Sequence, residues 1–158
     1  MRAEPSGRLD VRALKVWRIT GGIVSLFAWL IAIGVTGLTM AFDWYWIFPA
    51  LAGAGALVLT VCLMVIVPPV RWRRWRYEVS EQEVDLKRGV IVIKRTLIPM
   101  ARVQHVDTEQ GPILRRYNLA TVSVSTAAGL HEIPALPVEE ADALRDNIAR
   151  LAGIADDV

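Results

Sequence analysis

Two clusters of basic residues are the strongest candidates for binding chemistry in this sequence. The first cluster is Arg71, Arg73, Arg74 and Arg76, and the second is Lys87, Arg88, Lys94 and Arg95 on either side of Gly89. A lysine or arginine near an anionic leaflet gains ~1 kcal/mol of attraction. Both clusters are therefore candidate contacts for lipid headgroups. The competing interpretations are a signal for membrane topology in the first cluster and a solvated or edge-protecting charge set in the second.

A third group of polar residues lies around the predicted turn at Gly111-Pro112. Its members are Gln104, Gln110, Arg115 and Arg116. These side chains can hydrogen-bond backbone groups and fix the turn, or they can form a surface that docks another protein. Of the two, the structural role is favoured.

The residue types of a hydrolase are present, but their pattern is not. His105 and His131 are the only histidines, and Asp107, Ser123 and Ser125 complete a triad only on paper. No G-x-S-x-G, P-loop or G-x-G-x-x-G sequence occurs, and two isolated histidines lack the spacing of a zinc site. We therefore predict a protein that is not an enzyme, with no catalytic, metal or cofactor-binding residues.

The elements that position these residues begin with two apolar runs. No charged residue lies between Arg18 and Asp43, or between Asp43 and Arg71, and the mean hydropathy is +0.38. Each run exceeds the ~20 residues that span a bilayer as a helix. We predict an uncleaved transmembrane hairpin over residues 19–70, with helices at about 19–42 and 46–70. Pro68-Pro69 is expected to end the second helix.

Small residues are concentrated from Ala50 to Ala56. They favour close helix packing in lipid, either with the first helix or with a partner subunit, although a composition bias without a specific contact explains them equally well. Neither run contains Asp, Glu, His, Lys or Arg, which is typical of an anchor rather than a pump. Cys62, the single cysteine, lies within the second run.

The charges predict the orientation of the hairpin. Residues 1–18 contain five Lys and Arg against two acids, residues 71–76 contain four Arg, and the connection between the runs contains only Asp43. Basic flanks stay in the cytoplasm, so both termini are expected there, in a bacterial cell membrane. Aromatic residues favour the two interfaces, with Trp44, Tyr45 and Trp46 outside and Trp72 and Trp75 inside.

Residues 77–158 predict a β-rich domain closed by a helix. This part of the chain contains nine Lys and Arg and thirteen Asp and Glu. Short segments in which apolar and polar residues alternate are separated by turn residues. Val90–Ile93 is assigned to one of the strands. An apolar stripe of Ala141, Leu144, Ile148 and Leu151 then follows a helical period. About seven strands and a C-terminal amphipathic helix indicate a bent β-sandwich or barrel of the pleckstrin-homology (PH) type, within an α+β class.

The sequence resembles the bacterial PH-like membrane proteins of the YdbS type over nearly its whole length. The stretches that carry the resemblance are Arg76-Tyr77-Glu78-Val79, Lys87-Arg88-Gly89, Ile98-Pro99-Met100, Arg102-Val103-Gln104-His105-Val106, Gln110-Gly111-Pro112 with Arg115-Arg116, Leu119-Ala120-Thr121-Val122 and Thr126-Ala127. Tyr117-Asn118 departs from the pattern where a glycine is expected, but asparagine also adopts the left-handed conformation. The resemblance implies a PH-like fold, a membrane location, and action beside a larger relative with several such domains.

These predictions combine into a basic N-terminal segment (1–18), the hairpin (19–70), a basic juxtamembrane segment (71–76) and a cytoplasmic PH-like domain (77–158). The expected function is a non-enzymatic, membrane-anchored scaffold that binds a protein partner, for example in envelope stress or membrane protection. The alternative is a sensor of anionic lipid headgroups. The expected partners are membrane lipids and either a second membrane protein with PH-like domains or another copy of the chain. Nucleic-acid binding is not expected, because the basic residues border the membrane.

Overall fold

The protein folds into two compact units, seen in a computed structural model that describes residues 4–154. One unit comprises residues 14–70. The other comprises the residues up to Ala13 together with those from Arg71 onward. The N-terminal segment therefore belongs to the same unit as the β-rich domain.

The first unit is a helical hairpin. Helix α1 spans Ala13–Phe42, and α2 spans Ile47–Val61 after a turn in which Asp43 has a φ of 53°. Both helices are long and apolar enough to cross a membrane, the second when counted to Arg74. Few of their residues are buried within the protein, so they are not the core helices of a globular domain. Pro49 is tolerated in the first turn of α2.

The prediction that Pro68-Pro69 ends the second helix is wrong. A π-helical turn spans Cys62–Ile66, and helix α3 then runs from Val67 to Arg74. The two prolines consequently occupy the first turn of α3. Their missing N–H groups are tolerated there, because local π-type adjustments such as the preceding turn accommodate prolines within membrane helices. The chain therefore stays helical as far as the juxtamembrane arginines.

The two helices of the hairpin approach most closely at a glycine of α1. A Cβ on Gly21 would lie 2.6 Å from the carbonyl oxygen of Leu63. The indole N–H of Trp29 also donates to Thr60 Oγ1 at 3.1 Å. By contrast, Gly53 and Gly55 in the small-residue run have open space where a Cβ would stand. The closest packing inside the hairpin thus uses Gly21, and these two glycines stay uncovered.

The second unit contains two three-stranded antiparallel sheets. The first has the order β1-β2-β3 and the second the order β4-β5-β6. The strands are β1 (Arg76–Val79), β2 (Glu83–Arg88), β3 (Lys94–Pro99), β4 (Val103–Glu109), β5 (Leu119–Thr126) and β6 (Gly129–Pro137). A 3₁₀ turn, Met100–Arg102, precedes β4, and short helix α4, Pro112–Arg116, follows it.

The strand pattern agrees in part with the expectation from sequence. Residues 4–154 form six strands rather than about seven. The assignment of Val90–Ile93 to a strand is wrong, because these residues form an exposed loop and β3 begins only at Lys94. Aliphatic residues favour strands, but the tight turn at Gly89 directs the chain away from the sheet. Asn118 has a φ of 54°, so the expected left-handed asparagine is confirmed.

The core of this unit joins both sheets to helix α5, which spans Val138–Leu151. Ala141 and Ile148 from the predicted stripe are fully buried, and α5 packs against β4, β5 and β6. The hydroxyl of the buried Tyr77 donates to Glu140 Oε1 at 2.8 Å and links β1 to the first turn of α5. Burial and, to a smaller extent, this hydrogen bond raise the pKa of the Tyr77 phenol.

The N-terminal segment covers the free edge of β1. The N–H of Gly7 donates to the Tyr77 carbonyl at 2.9 Å, and the N–H of Tyr77 donates to the Gly7 carbonyl at 3.1 Å. Leu9 is buried, and Arg12 donates to the Tyr117 carbonyl at 2.9 Å. The same guanidinium lowers the pKa of the Asp10 carboxyl. Residues assigned from sequence only to topology therefore also form a structural edge strap.

Candidate anion-binding site

Three of the eight predicted basic residues meet at one pocket. The pocket has a volume of about 290 Å³. Its lining residues are Arg71, Trp75, Arg88, Gly89, Val90, Val92 and Lys94. Arg71 comes from the first basic cluster, whereas Arg88 and Lys94 come from the second cluster, on β2 and β3. We call these three side chains the basic cradle.

Local structure explains why the cradle residues meet. Arg88 and Lys94 are directly opposed in the β2–β3 ladder, at the end where the two strands leave the sheet. Arg71 is delivered by α3, whose last residue, Arg74, donates a hydrogen bond from its guanidinium to the Val90 carbonyl. Because the helix extends through Pro68-Pro69, it carries Arg71 to the β2–β3 loop.

The cradle has excess positive charge. Neither Arg88 nor Lys94 forms an ion pair with any residue that the structure describes. Two like charges directly opposed across a ladder destabilise it, and Arg88 also repels Arg71. Glu132 is the acid that attracts Arg71 in this neighbourhood. A bound anion would relieve the repulsion, so the arrangement suits a phosphate or a similar oxyanion.

The positive field reaches His131 on β6. Burial lowers the pKa of His131, and the charges of Arg88 and Lys94 lower it further. The ring nitrogen Nδ1 of His131 is buried and has no hydrogen-bond partner among residues 4–154. His131 therefore reports on the charge of the cradle, although it is absent from the residues that line the pocket.

The other five predicted basic residues are outside the cradle. Arg95 forms an ion pair with the buried Asp85, with Arg95 Nε 3.0 Å from Asp85 Oδ2. Lys87 pairs with Glu4, and Arg76 donates to the Trp75 carbonyl at 2.9 Å. Arg73 is exposed, and Arg74 holds the loop as described above. The members of the two predicted basic clusters therefore have different contacts in the structure.

The four residues around Gly111-Pro112 do not form one surface. Gln110 donates through its amide to the Leu119 carbonyl at 3.0 Å, which is a turn-fixing contact. Gln104 is at the other end of β4, ~20 Å away at ~3.3 Å per residue, and lines a second pocket of about 620 Å³ with Thr96, Arg102 and His131. Arg115 and Arg116 are exposed on α4.

The residues considered for catalysis lack the geometry of a triad. His105 Nε2 lies 3.1 Å from Asp107 Oδ2, but both side chains are more than half exposed. A triad needs a buried carboxylate to orient its histidine. Ser123 is buried across the ladder from Asp107, and its hydroxyl has no hydrogen-bond partner in the part of the chain that the structure describes. No group of three His, Cys, Asp or Glu suited to a metal occurs within residues 4–154.

Trp75 lies in the protein core rather than at the membrane interface. It was expected at the membrane interface, but only 2% of its surface is exposed and it lines the pocket. Trp72 donates its indole N–H to the Leu9 carbonyl at 3.0 Å. Strong burial is favoured because Trp75 stands two residues before the buried Tyr77, on the same alternating face. That alternation is the sequence feature from which the burial of Trp75 could have been predicted.

Comparison with known proteins agrees with this architecture. The family model of the bacterial PH domain matches residues 19–152. The chain therefore belongs to the bacterial PH domain family, and it is a membrane protein whose two apolar helices precede a PH domain.

Two transmembrane proteins of Bacillus subtilis (strain 168) are similar to it. The UPF0699 transmembrane protein YdbS is 51% identical over 158 residues, which cover 99% of each chain. The UPF0699 transmembrane protein YdbT is 28% identical over 100 residues, which make up 61% of this chain and only 20% of YdbT. No solved structure matches the chain.

Proposed function

We propose that this protein is a non-enzymatic, membrane-anchored binding module whose PH domain holds anionic phospholipid headgroups in the basic cradle. The observation that supports it best is the meeting of Arg71, Arg88 and Lys94 at one pocket. A phospholipid phosphate supplies the missing negative charge.

Chain connectivity makes a lipid the nearest source of that anion. Arg71 directly follows the apolar run that ends at Val70. A residue at the end of a membrane span lies at headgroup depth. By the charge argument, both termini and the domain are on the cytoplasmic side, where anionic lipids give the leaflet its negative surface potential.

The test uses the full-length protein in nanodiscs. His131 is monitored by NMR in discs of phosphatidylcholine alone and in discs that also contain phosphatidylglycerol. Anionic lipid in the cradle should raise the pKa of His131 by neutralising Arg88 and Lys94. His105 on β4 serves as the internal reference. An unchanged His131 titration in anionic discs would rule out headgroup binding at the cradle.

Matched variants sharpen the test. Replacing both Arg88 and Lys94 by Gln should raise the pKa of His131 before lipid is added and abolish the response to lipid. At ~1 kcal/mol per cation, the double variant should retain anionic lipid about 30-fold more weakly in native mass spectrometry. Arg115→Gln/Arg116→Gln removes the same charge from the exposed face of α4 and should behave like the wild type.

A second candidate function is a scaffold that binds another PH-domain membrane protein. Its support comes from the two relatives, because one organism holds both a protein of this length and the longer YdbT. Gly53 and Gly55, which stay uncovered in the hairpin, offer a face where a partner helix can approach closely. The scaffold increases the local concentration of its partner at the membrane, and envelope protection is the setting that we propose for it.

The scaffold is tested by purifying the protein from its own host in mild detergent with native lipids. The mass of the intact complex should include a second, longer membrane protein. A homo-oligomer that retains only anionic lipid would refute the scaffold and leave headgroup binding as the function.

A further inference from the structure

The β2–β3 loop presents three consecutive aliphatic side chains to solvent. Ile91 is 92% exposed, Val92 77% and Ile93 52%. Single exposed aliphatic residues are ordinary on protein surfaces, but a contiguous apolar tip marks an interaction site. The tip adjoins the cradle, because Val90 and Val92 line the same pocket as Arg88 and Lys94.

Glycine sets the shape of this loop. Gly89 has a φ of +137°, and a Cβ there would stand 1.9 Å from the Val92 carbonyl oxygen. No residue with a side chain fits that turn without distortion. The guanidinium of Arg74 holds the loop from the other side by its hydrogen bond to the Val90 carbonyl. The aliphatic tip is therefore held in place by specific contacts.

The loop is also restricted in its distance from the bilayer. Arg74 is four residues beyond Val70, ~6 Å along a helix. A loop hydrogen-bonded to Arg74 therefore lies within reach of the headgroup and upper acyl region. An apolar tip with a cation at each end has the amphipathic character of segments that lie in a membrane interface, and its charges complement anionic lipid.

We propose that Ile91, Val92 and Ile93 insert into the leaflet while the cradle holds a headgroup. The inference rests on the proposed headgroup binding for its electrostatic part and adds a separate apolar contact. The domain is thereby fixed on the membrane surface at a second point besides its covalent anchor.

The test measures the depth of the loop in full-length protein. In a Cys62→Ser background, Val92→Cys is labelled with a polarity-sensitive fluorophore and reconstituted in nanodiscs of phosphatidylcholine and phosphatidylglycerol. Insertion should shift the emission to the blue, and a lipid with a nitroxide high on its acyl chain should quench it. Glu81→Cys, in the turn at the far end of β2, is the matched control and should stay in a polar environment without quenching.

A second variant separates insertion from attraction of the dye to lipid. Ile91→Asp and Ile93→Asp change exposed side chains and spare the core, and together they should return the Val92 label to a polar environment. If the label still reports lipid in that variant, or is never quenched in the parent protein, insertion is disproved. A parent label that stays in water and shifts only when another protein is added would assign the tip to a protein partner and also overturn insertion.

The two proposals fail independently. Quenching at Val92 together with an unresponsive His131 would overturn headgroup binding and leave insertion standing. A lipid-responsive His131 together with an unquenched Val92 label would overturn insertion and leave the headgroup site.

Discussion

The hydrogen bond between Tyr77 and Glu140 gives a quantitative test of how α5 is held on the sheets. Tyr77→Phe keeps the buried ring, of which 8% is exposed, and removes the hydroxyl that donates to Glu140 at 2.8 Å. A hydrogen bond to a charged group contributes about 1.5–3 kcal/mol. Glu140 is exposed and regains water in the variant, so we expect a loss of about 1–2 kcal/mol.

The loss should be visible in thermal unfolding. For a domain of this size each kcal/mol changes Tm by about 4–8 °C, so Tyr77→Phe should lower Tm by about 5–10 °C at neutral pH in mild detergent. Tyr117→Phe is the matched control, because its hydroxyl makes no hydrogen bond that the structure describes. A Tyr77→Phe protein that melts with the wild type would refute the stabilising role of this contact.

The same contact predicts a pH dependence. Burial and, to a smaller extent, the hydrogen bond to Glu140 raise the pKa of Tyr77 above its ordinary value. The folded state therefore keeps its proton where the unfolded state has lost it, at a pH above ~10. The stabilisation is fully present below pH ~10 and is lost as the pH rises further. Wild type should lose stability more steeply than Tyr77→Phe above pH 10, and parallel curves would contradict the argument.

Three further experiments test the rest of the fold. Gly7→Val places a Cβ 2.5 Å from the Tyr77 carbonyl oxygen. It should lower the free energy of unfolding by about 1–3 kcal/mol and speed amide exchange along β1. Unchanged exchange would refute the edge strap. Arg95→Ala should destabilise the protein more than Asp85→Ala does, because it leaves the more buried partner of the ion pair unpaired. The Asp85 side chain is 10% exposed and that of Arg95 33% exposed, and an unpaired charge costs more the more deeply it is buried. Equal losses in chemical denaturation would contradict this. Gly21→Leu should lower the thermal stability of the helical hairpin in detergent. Gly34→Leu should not, because a Cβ at Gly34 would stand in open space. Equal effects of the two substitutions would argue against close packing at Gly21.

Local patterns predicted most of the elements. The long uncharged runs predicted two apolar helices, and these are observed as α1 and as the helical run to Arg74. Alternation located β5 at Leu119–Thr126, and the stripe with Ala141 and Ile148 located α5. The failures were local conflicts of propensity. The aliphatic residues of Val90–Ile93 resemble a strand but form a loop, and Pro68-Pro69 resembles a helix end but begins a new helical segment.

The sequence by itself determined the class of the protein, because hydrophobic periodicity, charge asymmetry and turn residues act over a few neighbouring positions. It also identified the basic residues from which the candidate site is built. Only the tertiary structure selected Arg71, Arg88 and Lys94 from the eight candidates, exposed the tip at Ile91, and brought Gly7 against β1. The physical reason is that these contacts join residues far apart in the chain. Whether an arginine meets a carboxylate, a carbonyl or an open pocket depends on the fold that surrounds it.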